Sequence, residues 1–325
     1  MKLDKFVLAI AIAVILAYYF PQLSADNAYV TLNEVSSVGI ALIFFFYGLK
    51  LSPEKIKAGL KNWKLHIVIQ SSTFLIFPLI VLIFYPFLQN EQQRIIWLSV
   101  FFLAVLPSTV SSSVVMVSMA KGNIPAAIFN ASISGIIGIF VTPLWMGLFL
   151  HQQQNNFNFS EIYFQLIVQI IIPVILGILL QPKLGKLATR FSKELSMFDK
   201  SIILLIVYKS FAESFETGIF SGIKWIDLVI LFMLVLVLFF MVYAIVYTIS
   251  SLFSFSREDK ITALFCGSKK SLVHGTVFSK VLFSNLAFAG LMLLPLMLFH
   301  AFQLLIVSII AGRFAREQNQ PKKVG

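Results

Sequence analysis

The sequence predicts an all-α polytopic membrane protein: ten transmembrane helices forming two five-helix repeats inserted with opposite orientation. Three observations carry this expectation: the composition, the placement of basic residues, and matched polar interruptions in two apolar segments. Of 325 residues, 59% are hydrophobic and only 12% charged, against roughly a quarter charged in an average globular chain. So few charges cannot coat a water-soluble domain. A crossing takes about 20 apolar residues, so the length holds about ten spans and no sizeable soluble domain. One cysteine, Cys266, excludes a disulfide framework or a cysteine metal site.

The apolar segments run over 4–20, 36–51, 65–88, 95–119, 123–150, 160–182, 198–216, 225–254, 259–283 and 286–312. Segment one follows Lys2 and Lys5. Reading it as a signal peptide, with a weak Leu23-Ser24-Ala25 cleavage site, would leave nine spans and break the symmetry. Segment two runs into Lys50, Lys55, Lys57, Lys61 and Lys64, and segment four into Lys121. Segment six precedes Lys183, Lys186, Arg190, Lys193 and Lys200; segment eight precedes Arg257 and Lys260; the tail holds Arg313, Arg316, Lys322 and Lys323. The opposite loops hold only Arg94 and Lys224. Lys and Arg concentrate on cytoplasmic loops, so this alternation places both termini in the cytoplasm. It also turns the net charge of +11 into a topology signal and not a nucleic-acid one. Residues 1–150 form the first repeat, 151–159 a polar connecting loop, 160–315 the second repeat and 316–325 a cytoplasmic tail.

The fourth segment of each half is interrupted. Pro107-Ser108-Thr109 and Ser111-Ser112-Ser113 break segment four; Gly267-Ser268-Lys269-Lys270-Ser271 and His274-Gly275 break segment nine. Backbone freed by a break has no water in lipid to bond, so it must face protein or a wet cavity. Matched broken helices are a pointer to a transporter binding site. Hydroxyls and freed carbonyls coordinate small cations, while a half-helix N-terminus favours an anion. A lysine at a helix centre costs roughly 2.5–3.5 kcal/mol to insert. Lys269 and Lys270 could bind an anion, stand where a cation would bind, or carry a proton. Adjacent helical residues point about 100° apart, so one of the two is expected to face the cavity. His274 is a proton-coupling candidate. Segment three adds Gln70, Ser71, Ser72 and Thr73, and segment five Asn130, Ser132 and Ser134. Lys209 and Glu213, four apart, are expected to pair. The 34 phenylalanines read as lipid-facing bulk and packing, and Trp63, Trp97, Trp145 and Trp225 as an interfacial belt. No phosphate-binding glycine loop, HExxH pair or nucleophile beside a base is present, so ATP-driven transport and metalloprotease chemistry are not expected.

Several stretches resemble the bile acid:sodium symporter superfamily, in the branch of vertebrate solute carrier family 10 member 7 and its bacterial homologues. They are Phe44-Phe45-Phe46-Tyr47-Gly48-Leu49-Lys50-Leu51-Ser52, Asn62-Trp63-Lys64-Leu65-His66, Thr109-Val110-Ser111-Ser112-Ser113-Val114-Val115, Gly122-Asn123, Ala126-Ala127-Ile128-Phe129-Asn130, Val141-Thr142-Pro143-Leu144 and Lys270-Ser271-Leu272. The resemblance implies a panel domain of spans one, two, six and seven. It implies a core domain of spans three to five and eight to ten, in which broken spans four and nine cross. It also implies two sodium ions at the crossing and an organic-anion substrate. Here the chain departs from the pattern. The family's Ser-Asn pair after the span-four break is replaced by Ser112-Ser113-Val114, and no carboxylate lies between Asp259 and Glu317. A lysine ammonium 4 Å from a sodium ion repels it by about 4 kcal/mol at an effective dielectric near 20. The expectation is therefore a secondary active transporter of an organic anion in a bacterial inner membrane, with lysine replacing at least one sodium ion. The coupling ion is sodium or a proton, and no other cofactor is called for. The expected site comprises Thr73, Ser112, Ser113, Asn130, Lys269, Lys270, Ser271 and His274. The alternative is a non-transporting membrane regulator that keeps the fold; an intramembrane enzyme ranks below both. Nothing in the sequence sets the oligomeric state.

Overall fold

The computed structural model describes residues 5–24, 31–51, 62–109, 111–150, 159–218, 224–283 and 288–319. The lysine-rich loop at 52–61, the connecting loop at 151–158 and the end of the tail lie outside them. Among the described residues every regular element is helical. The helices are α1 (Lys5–Tyr19), α2 (Leu32–Lys50), α3 (Trp63–Ser71), α4 (Phe77–Leu82), α5 (Glu91–Val105), α6 (Ser111–Met119) and α7 (Ile124–Leu150). They continue with α8 (Phe159–Leu166), α9 (Ile172–Arg190), α10 (Ser192–Glu216), α11 (Trp225–Leu252), α12 (Arg257–Gly267), α13 (Leu272–Leu282) and α14 (Ala289–Asn319).

Six helical stretches are long and apolar enough to cross a membrane: Leu32–Lys50, Trp63–Phe87, Ile124–Leu150, Ser160–Arg190, Trp225–Leu252 and Ala289–Arg316. The chain is an integral membrane protein. The other four predicted segments fall short for separate physical reasons. Helix α1 is only 15 residues long. Helix α10 carries Lys193, Glu194, Asp199, Lys200, Lys209, Glu213 and Glu216. The remaining two are the interrupted pairs α5–α6 and α12–α13.

Proline shapes two of the long stretches. Its ring clashes with the carbonyl four residues back and it has no N–H to donate. Ahead of Pro78 and of Pro173 the helix widens into a π turn, Ser72–Ile76 and Ile167–Ile171. Phe77 N–H accordingly reaches back to Ser72 O, and Ile172 N–H to Ile167 O.

The chain divides into two compact units. The first comprises Met1–Ser52, Pro143–Val229 and Val273–Pro295. Its helix α2 opens on a capping box, with Glu34 N–H donating to Thr31 Oγ1 at 3.2 Å and Thr31 N–H to Glu34 Oε2 at 2.9 Å. Helices α2 and α9 approach through Gly48 and Gly177: a Cβ on Gly48 would run into the Val174 carbonyl, and one on Gly177 into that of Phe45. Small residues permit such backbone contact between membrane helices. Ser214 Oγ donates to Ser210 O at 2.8 Å and accepts from Gly290 N–H at 3.0 Å, tying α14 to α10.

The second unit comprises Pro53–Thr142, Ile230–Leu272 and Leu296–Gly325. Phe239 and Phe77 both meet Phe299 edge-on, with centroids 5.9 and 6.2 Å away. Trp97 is buried, stacked on Phe101 with its indole N–H donating to Val81 O at 2.9 Å. It therefore packs inside and does not belong to the expected interfacial belt. Trp225, by contrast, is 78% exposed. Asp259 gathers the ends of three helices, accepting from Asn62 Nδ2 at 2.6 Å and Asn123 Nδ2 at 2.8 Å.

Candidate functional site

Both predicted interruptions are present, and they meet within the second unit. Helix α5 ends at Val105 because Leu106 turns extended before Pro107; α12 ends at Gly267, and α13 resumes at Leu272. The last carbonyls of a helix have no intrahelical donor. In a buried break each needs another partner. Here nearly every one has a named partner. Leu103 O accepts from Leu106 N–H at 3.4 Å. Ala104 would normally accept from Ser108 N–H, but that group donates to Ser134 Oγ at 2.9 Å. Val105 O accepts from Thr142 Oγ1 at 2.8 Å, and Pro107 O from Ser271 N–H at 2.9 Å. Across the second break, Phe265 O accepts from Ser113 Oγ at 3.2 Å, Cys266 O from Ser108 Oγ at 2.6 Å, and Gly267 O from Ser72 Oγ at 2.8 Å.

The carbonyls left over converge on one ammonium. Lys270 Nζ donates to Thr73 O at 2.7 Å, Ala104 O at 2.6 Å and Leu106 O at 2.8 Å. Thr73 O is available because its next donor along the π turn would be Pro78, which has no N–H. An ammonium has three donors, and three carbonyls meet them. The Phe77 ring adds a cation–π contact, its centroid 4.1 Å from Nζ. The backbone beneath is clamped by Gln303, whose Oε1 accepts from Lys270 N–H at 3.0 Å and whose Nε2 donates to Lys270 O at 2.8 Å.

Lys269 differs. Its Nζ donates to Ser112 Oγ at 2.8 Å, and Ser112 Oγ is 3.1 Å from Thr109 Oγ1. That hydroxyl is its one hydrogen-bond partner among the described residues. Both lysines are fully buried.

Sequence comparison relates the whole chain to known proteins. A model of the SBF-like CPA transporter family matches residues 4–316. The chain belongs to the SBF-like CPA transporter family. Protein PA2026 of Pseudomonas aeruginosa is 36% identical over 316 residues, covering 97% of this chain and 94% of its own. YfeH of Escherichia coli is 35% identical over 319 residues, covering 98% and 95%. Sodium/bile acid cotransporter 7 of Rattus norvegicus is 30% identical over 279 residues, covering 85% and 82%.

Within this family member the expected site residues separate into three groups. Ser112, Ser113, Lys269, Lys270 and Ser271 gather at the paired breaks with Thr73, which contributes its carbonyl; its hydroxyl donates back to Ile69 O at 2.9 Å. Asn130 belongs to a different buried cluster, donating to His66 Nδ1 at 2.8 Å and Ala126 O at 2.9 Å and accepting from Gln70 Nε2 at 3.1 Å. His274 falls in the first unit, edge-on to Phe44 with centroids 5.5 Å apart. Sequence reading missed Gln303, Thr142 and Phe77. Gln303 had a signal, as an isolated amide within an apolar segment; a lone Thr or Phe in a span has none.

Proposed function

We propose that this transporter is a secondary active carrier of an organic anion, working by alternating access in a bacterial inner membrane with both termini cytoplasmic. Ten crossings in two inverted repeats fit the helix order and the basic-loop alternation. Lys270 serves as a tethered cation. The observation that carries this reading is the trio of carbonyls at 2.6–2.8 Å from Nζ, a coordination that a small free cation would otherwise need. A sodium ion in the same place faces a fixed positive charge and no carboxylate. Repulsion of about 4 kcal/mol at 4 Å weakens its binding roughly a thousandfold.

The exchangeable group is then Lys269. One hydroxyl partner leaves its amine able to trade a proton or meet a substrate oxygen, with Ser112 and Thr109 as relay. Transport is accordingly sodium-independent and proton-coupled. The test is melting temperature of the purified protein in NaCl against KCl at equal ionic strength, together with currents from proteoliposomes on a solid-supported membrane challenged with organic anions. Anion-evoked currents that need a proton gradient and ignore sodium are expected. A sodium-specific rise in melting temperature, or sodium-dependent currents, overturns the coupling.

A further inference from the structure

The sequence places Lys183, Lys186 and Arg190 in a loop after the sixth apolar segment. The structure instead carries all three on the end of α9, and α10 starts after a single residue, Phe191. Spaced three and four residues apart, they share one face of the helix with Ile172, Leu176, Leu179 and Leu187. All seven are exposed. The opposite face, with Val174, Gly177, Gly185 and Ala188, is buried, and Gly177 lies against α2. One outward strip of α9 therefore changes from apolar to basic along its length.

The change falls at a defined depth. Glu161 and Lys183 bracket an uncharged run of about 20 residues, the length that crosses the hydrocarbon core. At 1.5 Å per residue the basic strip covers about 10 Å beyond that run, at the level of the lipid head groups. Lys193 and Glu194 follow on the first turn of α10, so residues 183–194 set four cations against one carboxylate. Among the described residues none of the four cations has a hydrogen-bond or ion-pair partner. Arg190 meets the Phe191 ring, its guanidinium carbon 5.8 Å from the centroid, a contact that leaves its N–H donors unspent.

The helix dipole accounts for a cation in the last turn, as at Arg190, but its pull fades within that turn and does not reach Lys183. Water would satisfy the ammonium groups, yet Leu187 and Phe191 stand among them 51% and 44% exposed. A ligand that carries both a phosphate and an acyl chain matches the whole strip; a soluble polyanion matches only its basic end.

We propose that this strip binds an anionic phospholipid, its phosphate between Lys183, Lys186 and Arg190 and its acyl chains along Leu179, Leu176 and Ile172. Arg190 supplies a planar fork for two phosphate oxygens, and the lysines supply point charges. Each basic residue near an anionic bilayer surface strengthens the attraction about fivefold. The inference needs only that α9 crosses the bilayer, so it stands apart from the substrate and the coupling ion proposed above.

The test is native mass spectrometry of the full-length protein in detergent, titrated with phosphatidylglycerol or with phosphatidylcholine of the same acyl chains. Phosphatidylglycerol should bind about tenfold or more tightly. Lys183→Gln combined with Arg190→Gln should weaken its apparent Kd about tenfold or more, while Lys183→Arg retains binding. The charge-matched pair Arg313→Gln with Arg316→Gln, on the exposed end of α14, should stay within about twofold of the wild-type protein. Lys183 and Arg190 hold no other described residue by a hydrogen bond, so the ligand-free melting temperature of the α9 variant should not fall. If that variant nevertheless misfolds, Lys186→Gln alone should show about a fivefold loss. Equal binding of the two lipids, or equal losses in the two double variants, overturns the proposal. So does displacement of the lipid by an equal concentration of soluble glycerol 3-phosphate, which would mark a phosphate site with no use for the acyl chains.

Discussion

Replacing Lys270 by alanine is the perturbation from which most can be learned. It strips the donors from Thr73 O, Ala104 O and Leu106 O at once. A buried polar group left unsatisfied costs about 1–3 kcal/mol, so three carbonyls cost about 3–9 kcal/mol in all. Against this, the buried ammonium itself carries a desolvation penalty of several kcal/mol that the substitution removes. The carbonyls win because none can reach water without opening the breaks, and a net loss of about 3 kcal/mol is expected. The void has the shape of the lost group, so a free alkylammonium should refill it. At 100 times its dissociation constant a ligand restores about 2.7 kcal/mol, nearly the whole deficit. The assay is thermal unfolding of the Lys270→Ala protein in detergent, titrated with propylammonium. Tetramethylammonium is the control, because it can lie over the Phe77 ring but has no N–H for the carbonyls. Propylammonium should raise the melting temperature of the variant and leave the wild-type protein unmoved. A variant as stable as the wild type, or one rescued equally by tetramethylammonium, would refute the tethered-cation argument.

Four further outcomes follow from the same geometry. Gln303→Leu orphans both the N–H and the carbonyl of Lys270 and should cost about 2–4 kcal/mol, read as a lowered melting temperature. Ser112→Ala removes the hydroxyl partner of Lys269, and proteoliposome currents should fall at least about tenfold while the protein remains folded by gel filtration. Gly177→Val drives a branched side chain into the Phe45 carbonyl and should lower the yield of folded protein, with Gly177→Ala intermediate. Asp259→Ala frees Asn62 and Asn123 and should lower the melting temperature by the loss of two charge-assisted bonds, about 3–6 kcal/mol; Asp259→Asn should recover part of it.

Much of the fold could be read from the sequence because membrane physics leaves few options. Apolar runs must be helices, and Pro107 and Gly267 mark where two of them stop. What could not be read is who satisfies whom. Ser72 and Gly267 are 195 residues apart, and Ser108 and Cys266 158 apart. In sequence each of these serines looks like any hydroxyl that bonds backward to its own helix. The same ambiguity hid the partners of Asn130, since a polar residue in a span announces burial but not what it bonds. Thr73, expected as part of the polar patch on segment three, reaches the breaks through its carbonyl, a consequence of a proline five residues downstream.

The two adjacent lysines show why the accounting of carbonyls matters for mechanism. Sequence periodicity expected one lysine to face a cavity and the other to turn away. Both ammonium groups are buried, and they differ in saturation. Lys270 has three acceptors for three donors and a clamp on its own peptide groups, so moving it breaks five hydrogen bonds at once. Among the described residues Lys269 has one bond, to a hydroxyl that itself has a second hydroxyl at 3.1 Å. A group that must change partners during a cycle cannot be fully coordinated in its resting state. Under the proposed function Lys270 is the fixed charge and Lys269 the one that changes. The distinction can be measured: Lys270→Arg should fail on stability, because a planar guanidinium cannot present three donors to carbonyls placed around a tetrahedral ammonium. Lys269→Arg should retain the fold and lose proton-driven current, since its guanidinium stays protonated. Equal behaviour of the two variants in both assays would remove the distinction between the lysines.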